Sequence, residues 1–256
     1  MEKVKIGIFG AGRGIDIANN LMLLDCEIVA LCDFNEKRRN EGLKKLGKNV
    51  AVYNDFDDFI EHDMDAVVIA NYFHEHTPYA IKCFEKNIHV FCECISNGTM
   101  AEGVKLLRAY EKSNSIYMLA ENYPYMLFNR EMKRVFTGAS LGKLLYAEGE
   151  YNHPFDLDNV KEHLAIRPYS KHWRNYLPRS YYVTHSLAPL MYITGAFPKR
   201  VTAMGVFSPF DEYNVIGSVV ADRAAVMMTL NDDGSGFKFT GCAAFGGHHN
   251  SYRICG

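Results

Sequence analysis

The chain has 256 residues, 48% hydrophobic and 23% charged, which suits one large or two ordinary domains and excludes a disordered chain. A formal charge of −2 removes the electrostatic case for nucleic acid or an anionic membrane as partner. No apolar run reaches membrane-spanning length, Met1–Lys5 opens into a strand with no signal peptide, and seven scattered cysteines contain no C-x-x-C, so a reducing, cytoplasmic setting is expected.

Residues 4–9, VKIGIF, read as an apolar run of strand length that leads into the glycine-dense GAGRG. Ile15, Ala18, Leu21 and Met22 then mark one face of a helix. CEIVALCD (26–33), NVAVYND (49–55), DAVVIAN (65–71), HVFCE (89–93) and IYMLAENY (116–123) read as further strands, separated by helical patterns at 35–46, 78–87 and 100–113. This alternation predicts a doubly wound parallel α/β sheet, and continuous apolar strands such as AVVIA fit burial on both faces.

After Asn122 the rhythm changes. MLFNREMKRVFTGAS reads as a helix, KLLYAEGEYNH (143–153) as a long alternating strand, and VTHSLAPLMYITG (183–195) as a short helix stopped by Gly195. Between them, residues 154–182 are polar and aromatic with little periodicity. RVTAMGVFS (200–208), RAAVMMTLN (223–231) and FKFTGCAAFG (237–246) read as strands of a mostly antiparallel open sheet. The expected organisation is therefore a dinucleotide-binding Rossmann domain at 1–122 and an α+β domain at 123–256. The closing NSYRICG is expected to lead into further strands, so the second domain reads as incomplete at its C-terminus.

A glycine-rich turn between strand and helix lets backbone approach a pyrophosphate, which the N–H groups of the helix start then bind. Here Gly10, Gly12 and Gly14, with Arg13 between the last two, form G-x-G-x-G; Ile15 stands where the usual third glycine would be. Asp33 ends the second strand 21 residues past Gly12, placed to accept ribose hydroxyls, which favours NAD over NADP. Arg38 and Arg39 are expected on the solvated face of the second helix. Cys92 and Cys94 read as buried apolar residues, and the adjacent pair His248-His249 points to opposite faces of a strand, so no metal site is expected.

With these pieces in place, the chain resembles the Gfo/Idh/MocA family of NAD(P)-dependent sugar and inositol oxidoreductases. DAVVIANYFHEHTPYAIKCFEKNIHVFCECI is similar to that family's strand, N-x-x-H-type turn, helix and strand ending in Glu-Lys-Pro; Asn71 and His76 fall in the turn, and Glu93 matches the glutamate. The resemblance implies cofactor contacts from these residues. In family dehydrogenases the lysine of that triplet assists proton transfer, and this chain has Cys94 there, a wall rather than an ammonium.

One branch of the family, the NAD-dependent α-N-acetylgalactosaminidase glycoside hydrolases, also lacks the lysine. Glu121-Asn122, the stretch AEGEYNH (Glu148, Tyr151, His153), Trp173-Arg174 and Tyr182-x-Thr-His185 are similar to it. That likeness implies Tyr151 as a base with His153 as helper, and His185 as proton acceptor. It implies Glu121 and Asn122 at the cofactor, and Glu148, Trp173, Arg174 and Tyr182 at the sugar. Each has a plainer reading: Tyr151 as strand packing, His76, His153 and His185 as satisfied structural histidines, Thr184 as a helix cap. Three functions stay open: an NAD-dependent oxidoreductase acting on a carbohydrate-like substrate, a redox-neutral glycosidase with recycled NAD, and a non-catalytic NAD-binding regulator. The resemblance also implies a homodimer or homotetramer formed through the second domain's sheet.

Overall fold

The computed structural model describes residues 3–138, 141–154, 178–207, 222–243 and 246–256. Two units form, Met1–Ala120 and Glu121–Gly256. The sequence rhythm sets the break after Asn122, so Glu121 and Asn122 fall in the second unit rather than the first.

The first unit is a six-stranded parallel sheet: β1 (Val4–Phe9), β2 (Cys26–Cys32), β3 (Ala51–Tyr53), β4 (Ala66–Ile69), β5 (His89–Cys92) and β6 (Tyr117–Leu119), in the order β3-β2-β1-β4-β5-β6. Its helices are α1 (Arg13–Leu21), α2 (Glu36–Leu46), α3 (Phe56–Phe59), α4 (His76–Glu85) and α5 (Met100–Tyr110). Ile8, Leu31, Val67, Val68 and Ile69 are 0% exposed, which is why the strands read as unbroken apolar runs. One apolar layer gathers Phe9, Phe56, Phe59 and Phe84, and the other Ile6, Ile15, Leu31 and Val68. The strand order changes direction between β1 and β4, so the ligand crevice of this fold opens beyond their carboxyl ends, at Gly10 and Asn71.

In this unit α3 and the end of β6 differ from expectation. The short helix α3 carries too few residues for a readable period; Asp55 caps it by accepting from Asp57 N–H at 2.7 Å. β6 stops at Leu119 because the chain turns: Glu121 Oε1 accepts from Tyr123 N–H at 3.0 Å, and a 3₁₀ turn covers Tyr123–Tyr125 with Pro124 inside it.

The second unit holds β7 (Tyr146–Asn152), β8 (Pro198–Phe207), β9 (Asp222–Asn231), β10 (Gly236–Thr240) and β11 (His249–Cys255), in the order β11-β7-β10-β9-β8. β7 and β10 run parallel; the other neighbours are antiparallel. With them go α6 (Leu127–Thr137) and α7 (Thr184–Thr194). Ala147, Phe237, Phe239 and Met227 pack against Leu190 of α7. β10 ends at Thr240, six residues before the expected 246, because Gly241 passes under Arg179: a Cβ there would lie 2.2 Å from the Arg179 carbonyl oxygen. β11 pairs with β7 over its whole length, Tyr252 and Ile254 facing the core, although its mixed composition gives no clear strand signal. His248 precedes β11, so only His249 of that pair is in a strand.

Candidate active site

In the first unit the glycine turn joins β1 to α1. Gly10 adopts φ +103°, and a Cβ there would sit 2.3 Å from the Ala70 carbonyl oxygen. Gly12 is the N-cap of α1 and faces open space apart from Arg38 Nη1, 3.4 Å from where a Cβ would lie. Gly14 does the close packing expected of a third glycine, since a Cβ there would meet Ile8 Cγ2 at 2.7 Å. Ile15 is buried and finds room because Gly42 of α2 has no side chain to oppose it. The displaced glycine therefore leaves the turn intact.

Asp33 is buried, its Oδ2 accepting from Ala11 N–H and its Oδ1 from Asn35 N–H, each at 2.8 Å. These bonds fix the turn to the end of β2, and each carboxylate oxygen keeps a lone pair for a ribose hydroxyl. Arg38 is exposed as expected, whereas Arg39 is half-buried. The first turn of α2 lies beside the end of β2, so Arg39 Nη1 donates to the Asp33 carbonyl at 2.6 Å and Arg38 reaches over Gly12.

Arg13 donates Nε–H to Glu93 Oε1 at 2.9 Å, and Glu93 Oε2 accepts from Cys94 N–H at 2.6 Å. His76 is buried and donates Nδ1–H to the Ile95 carbonyl at 2.6 Å; burial pushes its pKa down, so it ties two loops together as a neutral ring. Asn71 Oδ1 is buried with no hydrogen-bond partner among the described residues. An open turn at a helix start, an acid at the end of β2 and an unsatisfied acceptor at Asn71 fit a dinucleotide's phosphates and ribose.

In the second unit a buried polar chain runs through His185. Its Nδ1 lies 2.8 and 2.9 Å from the two Glu121 oxygens, and its Nε2 lies 2.7 Å from the Tyr182 hydroxyl. Glu121 and His185 are 6% and 7% exposed. Burial is the largest single influence and acts to raise the Glu121 pKa, but the His185 hydrogen bond and charge, with the hydrogen bonds from Thr184 and the Tyr123 N–H, together outweigh it and hold the carboxyl below its ordinary value. Glu121 is thus a carboxylate, able only to accept, so His185 Nδ1 carries a proton, and in the neutral ring Nε2 accepts from Tyr182. Tyr123 stacks on the imidazole with centroids 4.1 Å apart, and Tyr151 meets it edge-on at 4.7 Å.

Local chain geometry places these groups. Alternation along β7 sends Gly149 and Tyr151 toward α7, and the bare Gly149 lets the first turn of α7 close onto the strand. Tyr182 is held by its carbonyl, which accepts from Cys242 N–H at 2.8 Å, just after the bend at Gly241. Tyr252 donates its hydroxyl to the His185 carbonyl at 2.5 Å.

The structure brings Glu121, Tyr151, Tyr182 and His185 together. His153 lies further out, its ring 6.2 Å from Tyr151 and 4.5 Å from His248. Glu148 is on the opposite face of β7 from Tyr151, accepting from the Tyr146 hydroxyl at 2.8 Å and lying 3.6 and 3.3 Å from Lys238 and Arg253. Asn122 uses its carbonyl to accept from Tyr125 N–H at 3.1 Å. Thr184 is the first residue of α7 and makes no side-chain cap; Val183 is the N-cap. Trp173 and Arg174 lie outside the described residues. Sequence reasoning missed Tyr123 and Tyr252. The first adjoins Glu121-Asn122 and could have been found there; the second sits in the unrecognised β11.

A pH prediction follows from Glu121. Its folded pKa is depressed, so its contribution to stability is complete above the ordinary value of 4.5 and is lost as pH falls through the lower folded value. Acid titration followed by circular dichroism is expected to show Glu121→Gln losing less stability than wild type across that window. Parallel curves would refute the assignment.

Comparison with known proteins bears on the fold and the family likeness. Residues 4–121 match the Gfo/Idh/MocA family, described as an oxidoreductase family with an NAD-binding Rossmann fold. A glycosyl hydrolase family 109 protein of Saccharopolyspora erythraea is 25% identical over 205 residues, covering 74% of this chain and 44% of the relative. A myo-inositol 2-dehydrogenase of Thermotoga maritima is 29% identical over 143 residues, covering 55% of this chain and 42% of the relative. The chain thus spans less than half the length of these two relatives. The solved structure of scyllo-inositol dehydrogenase from Lactobacillus casei with bound cofactor NAD(H) and scyllo-inositol shares the fold, with a TM-score of 0.83 at 20% identity over 99% of this chain and 74% of that one. No helix among the described residues is long and apolar enough to cross a membrane. Over residues 4–121, a little under half of the chain, the likeness is to the Gfo/Idh/MocA oxidoreductase family and its NAD-binding Rossmann fold.

Proposed function

We propose that the protein is an NAD-dependent oxidoreductase transferring a hydride from a carbohydrate-like polyol, with the Glu121–His185–Tyr182 chain handling the hydroxyl proton. The observation that carries this reading is the buried Glu121–His185 pair enclosed by Tyr123, Tyr151 and Tyr182. Bound NAD⁺ supplies the hydride acceptor. The chain's own residues do the rest. Gly10, Gly12 and Asp33 hold the phosphates and ribose, and Asn71 offers a further acceptor. The tyrosines offer apolar faces to the C–H surface of a polyol and hydroxyls to its oxygens. With Cys94 in place of the family's lysine, proton transfer falls to the second unit.

The names of the inositol dehydrogenases among its relatives support the substrate class. The test offers inositols and free sugars with NAD⁺ and follows NADH absorbance. His185→Asn is expected to lower kcat by about 10²–10⁴-fold, the range for a lost acid–base group. A variant as fast as wild type would sink this role. Asp33→Ala is expected to weaken NAD⁺ binding at least about tenfold by calorimetry, because the buried Ala11 N–H of the turn and the half-buried Asn35 N–H before α2 lose their acceptor.

A second reading is a glycosidase that recycles its NAD, with Tyr151 as base. It is favoured by the family 109 match, which covers more of this chain than the dehydrogenase match does. Aryl glycosides in heavy water discriminate: aglycone release with deuterium at carbon 2 and no net NADH would establish it.

The reading extends to a homodimer or homotetramer in a reducing, cytoplasmic compartment. β8 and β9 leave Val201, Met204, Phe207, Met228 and Leu230 between 48% and 75% exposed, an apolar patch that a second copy would cover. All seven cysteines are free thiols, and burial pushes Cys32, Cys83 and Cys92 up to about 12. Sedimentation velocity showing a clean monomer would remove the oligomer.

A further inference from the structure

We propose that Tyr182, not His185, is the catalytic group that meets the substrate hydroxyl, and that His185 and Glu121 stand behind it as positioning residues in a proton relay. The inference rests on the hydride-transfer reading and names the residue within it that touches substrate.

His185 is fully engaged. Glu121 takes Nδ1–H, Tyr182 fills Nε2, Tyr123 covers one ring face, and Tyr151 abuts its edge. At 7% exposure the imidazole has no side left for a substrate oxygen while Tyr182 is in place. Tyr182 is less buried, and a phenol has a single proton. With that proton directed at His185 Nε2, the phenol oxygen can meet a further hydroxyl only as an acceptor. Tyr151 is turned differently: it hydrogen-bonds with Tyr123, and its ring meets the imidazole edge-on. The result is a hydroxyl–imidazole–carboxylate sequence of the kind that activates serine in hydrolases, with a phenol as the terminal group.

The step balances as follows. The substrate O–H proton passes to Tyr182 Oη as the Tyr182 proton passes to His185 Nε2. The carbinol C–H bond breaks, its electron pair leaving as hydride to the oxidised dinucleotide of the proposed function, and a C=O bond forms. The imidazolium is stabilised by the Glu121 carboxylate until its proton returns through Tyr182 to solvent. Backbone bonds hold the geometry on both sides: Cys242 N–H to the Tyr182 carbonyl, and the Tyr252 hydroxyl to the His185 carbonyl.

The test uses the full chain labelled with ¹⁵N in its histidines, the His185 signals being assigned with His185→Asn. In wild type, His185 is expected as the Nδ1–H tautomer, and Tyr182→Phe is expected to shift its Nε2 resonance. In turnover with NAD⁺ and a polyol, Tyr182→Phe is expected to lower kcat about 100-fold with KM changed less than about threefold. Glu121→Gln is expected to lower kcat and disturb the tautomer together. An Nε2–H tautomer in an active enzyme would overturn the relay alone, as would a Tyr182→Phe variant that keeps wild-type kcat while His185→Asn loses it. No turnover by wild type on any polyol or glycoside would overturn the proposal together with the reading beneath it.

Discussion

Gly149→Ala is expected to lower the stability of the second unit by about 3 kcal/mol, the upper end of the range for overpacking a filled core. The added Cβ would sit 2.1 Å from the Ser186 carbonyl oxygen and 3.1 Å from its carbon, with Leu190 Cδ1 at 3.3 Å. The nearest obstacle is backbone, which cannot rotate away as a side-chain tip can. Nor is Ser186 free to move: its Oγ donates to the Thr240 carbonyl at 2.5 Å, and its N–H donates to the Val183 carbonyl at 3.1 Å. The first turn of α7 must therefore lift from β7, and the second residue of that turn is His185. Lifting it draws the imidazole away from Glu121, so the site comes apart as the unit weakens. A thermal melt should shift down by roughly 6–12 °C. Gly247→Ala, where a Cβ would meet nothing within 4 Å, is the control and is expected to change stability by less than about 0.5 kcal/mol. Equal melts for the two variants would show that α7 does not rest on Gly149.

The contrast between Gly149 and Gly12 shows what a sequence discloses here. Gly12 lies in a local pattern, a strand running into glycines and then a helix, and its role follows from that order alone. The same holds for β4, whose unbroken apolar run marks burial on both faces, and for Asp33 at the end of β2. Gly149 has no local signature, because its partner Ser186 lies on another element. Glu121 and His185 carry the same difficulty: each is legible as a polar residue at an element's end, yet their bond spans 64 residues and forms only because α7 packs against the 3₁₀ turn that follows Glu121. Glu148 was open to a stricter reading. It differs from Tyr151 by an odd number of positions, so a regular strand places the two on opposite faces, as β7 does. Tyr252 stayed hidden because β11 mixes polar and apolar residues at both parities, and only its pairing with β7 identifies it as a strand.

Gly10→Ala is expected to remove NAD⁺ binding and to destabilise the first unit. At φ +103° an alanine carries about 1–3 kcal/mol of backbone strain before any contact is considered. Its Cβ would also lie 2.3 Å from the Ala70 carbonyl oxygen, 2.4 Å from its carbon and 2.6 Å from Asn71 N. Relief would require β1 and β4 to separate, but Phe9 is in register with Ile69, Ala70 N–H donates to the Phe9 carbonyl at 2.7 Å, and Gly10 N–H donates to the Cys32 carbonyl at 2.8 Å. The turn is pinned from both neighbouring strands, so the strain stays where the dinucleotide must lie. A total cost of about 3 kcal/mol or more in stability is expected. The NAD⁺ affinity is expected to fall at least about 100-fold, which corresponds to about 2.7 kcal/mol of binding energy. Gly12→Ala separates the two effects: its Cβ would meet only the flexible tip of Arg38, so stability should change less while NAD⁺ affinity still falls, because the added carbon occupies the phosphate's approach. Calorimetric titration with NAD⁺ and a thermal melt on each variant decide the matter. A Gly10→Ala protein that binds NAD⁺ as wild type does would place the dinucleotide away from this turn, and the hydride-transfer reading would lose its cofactor site.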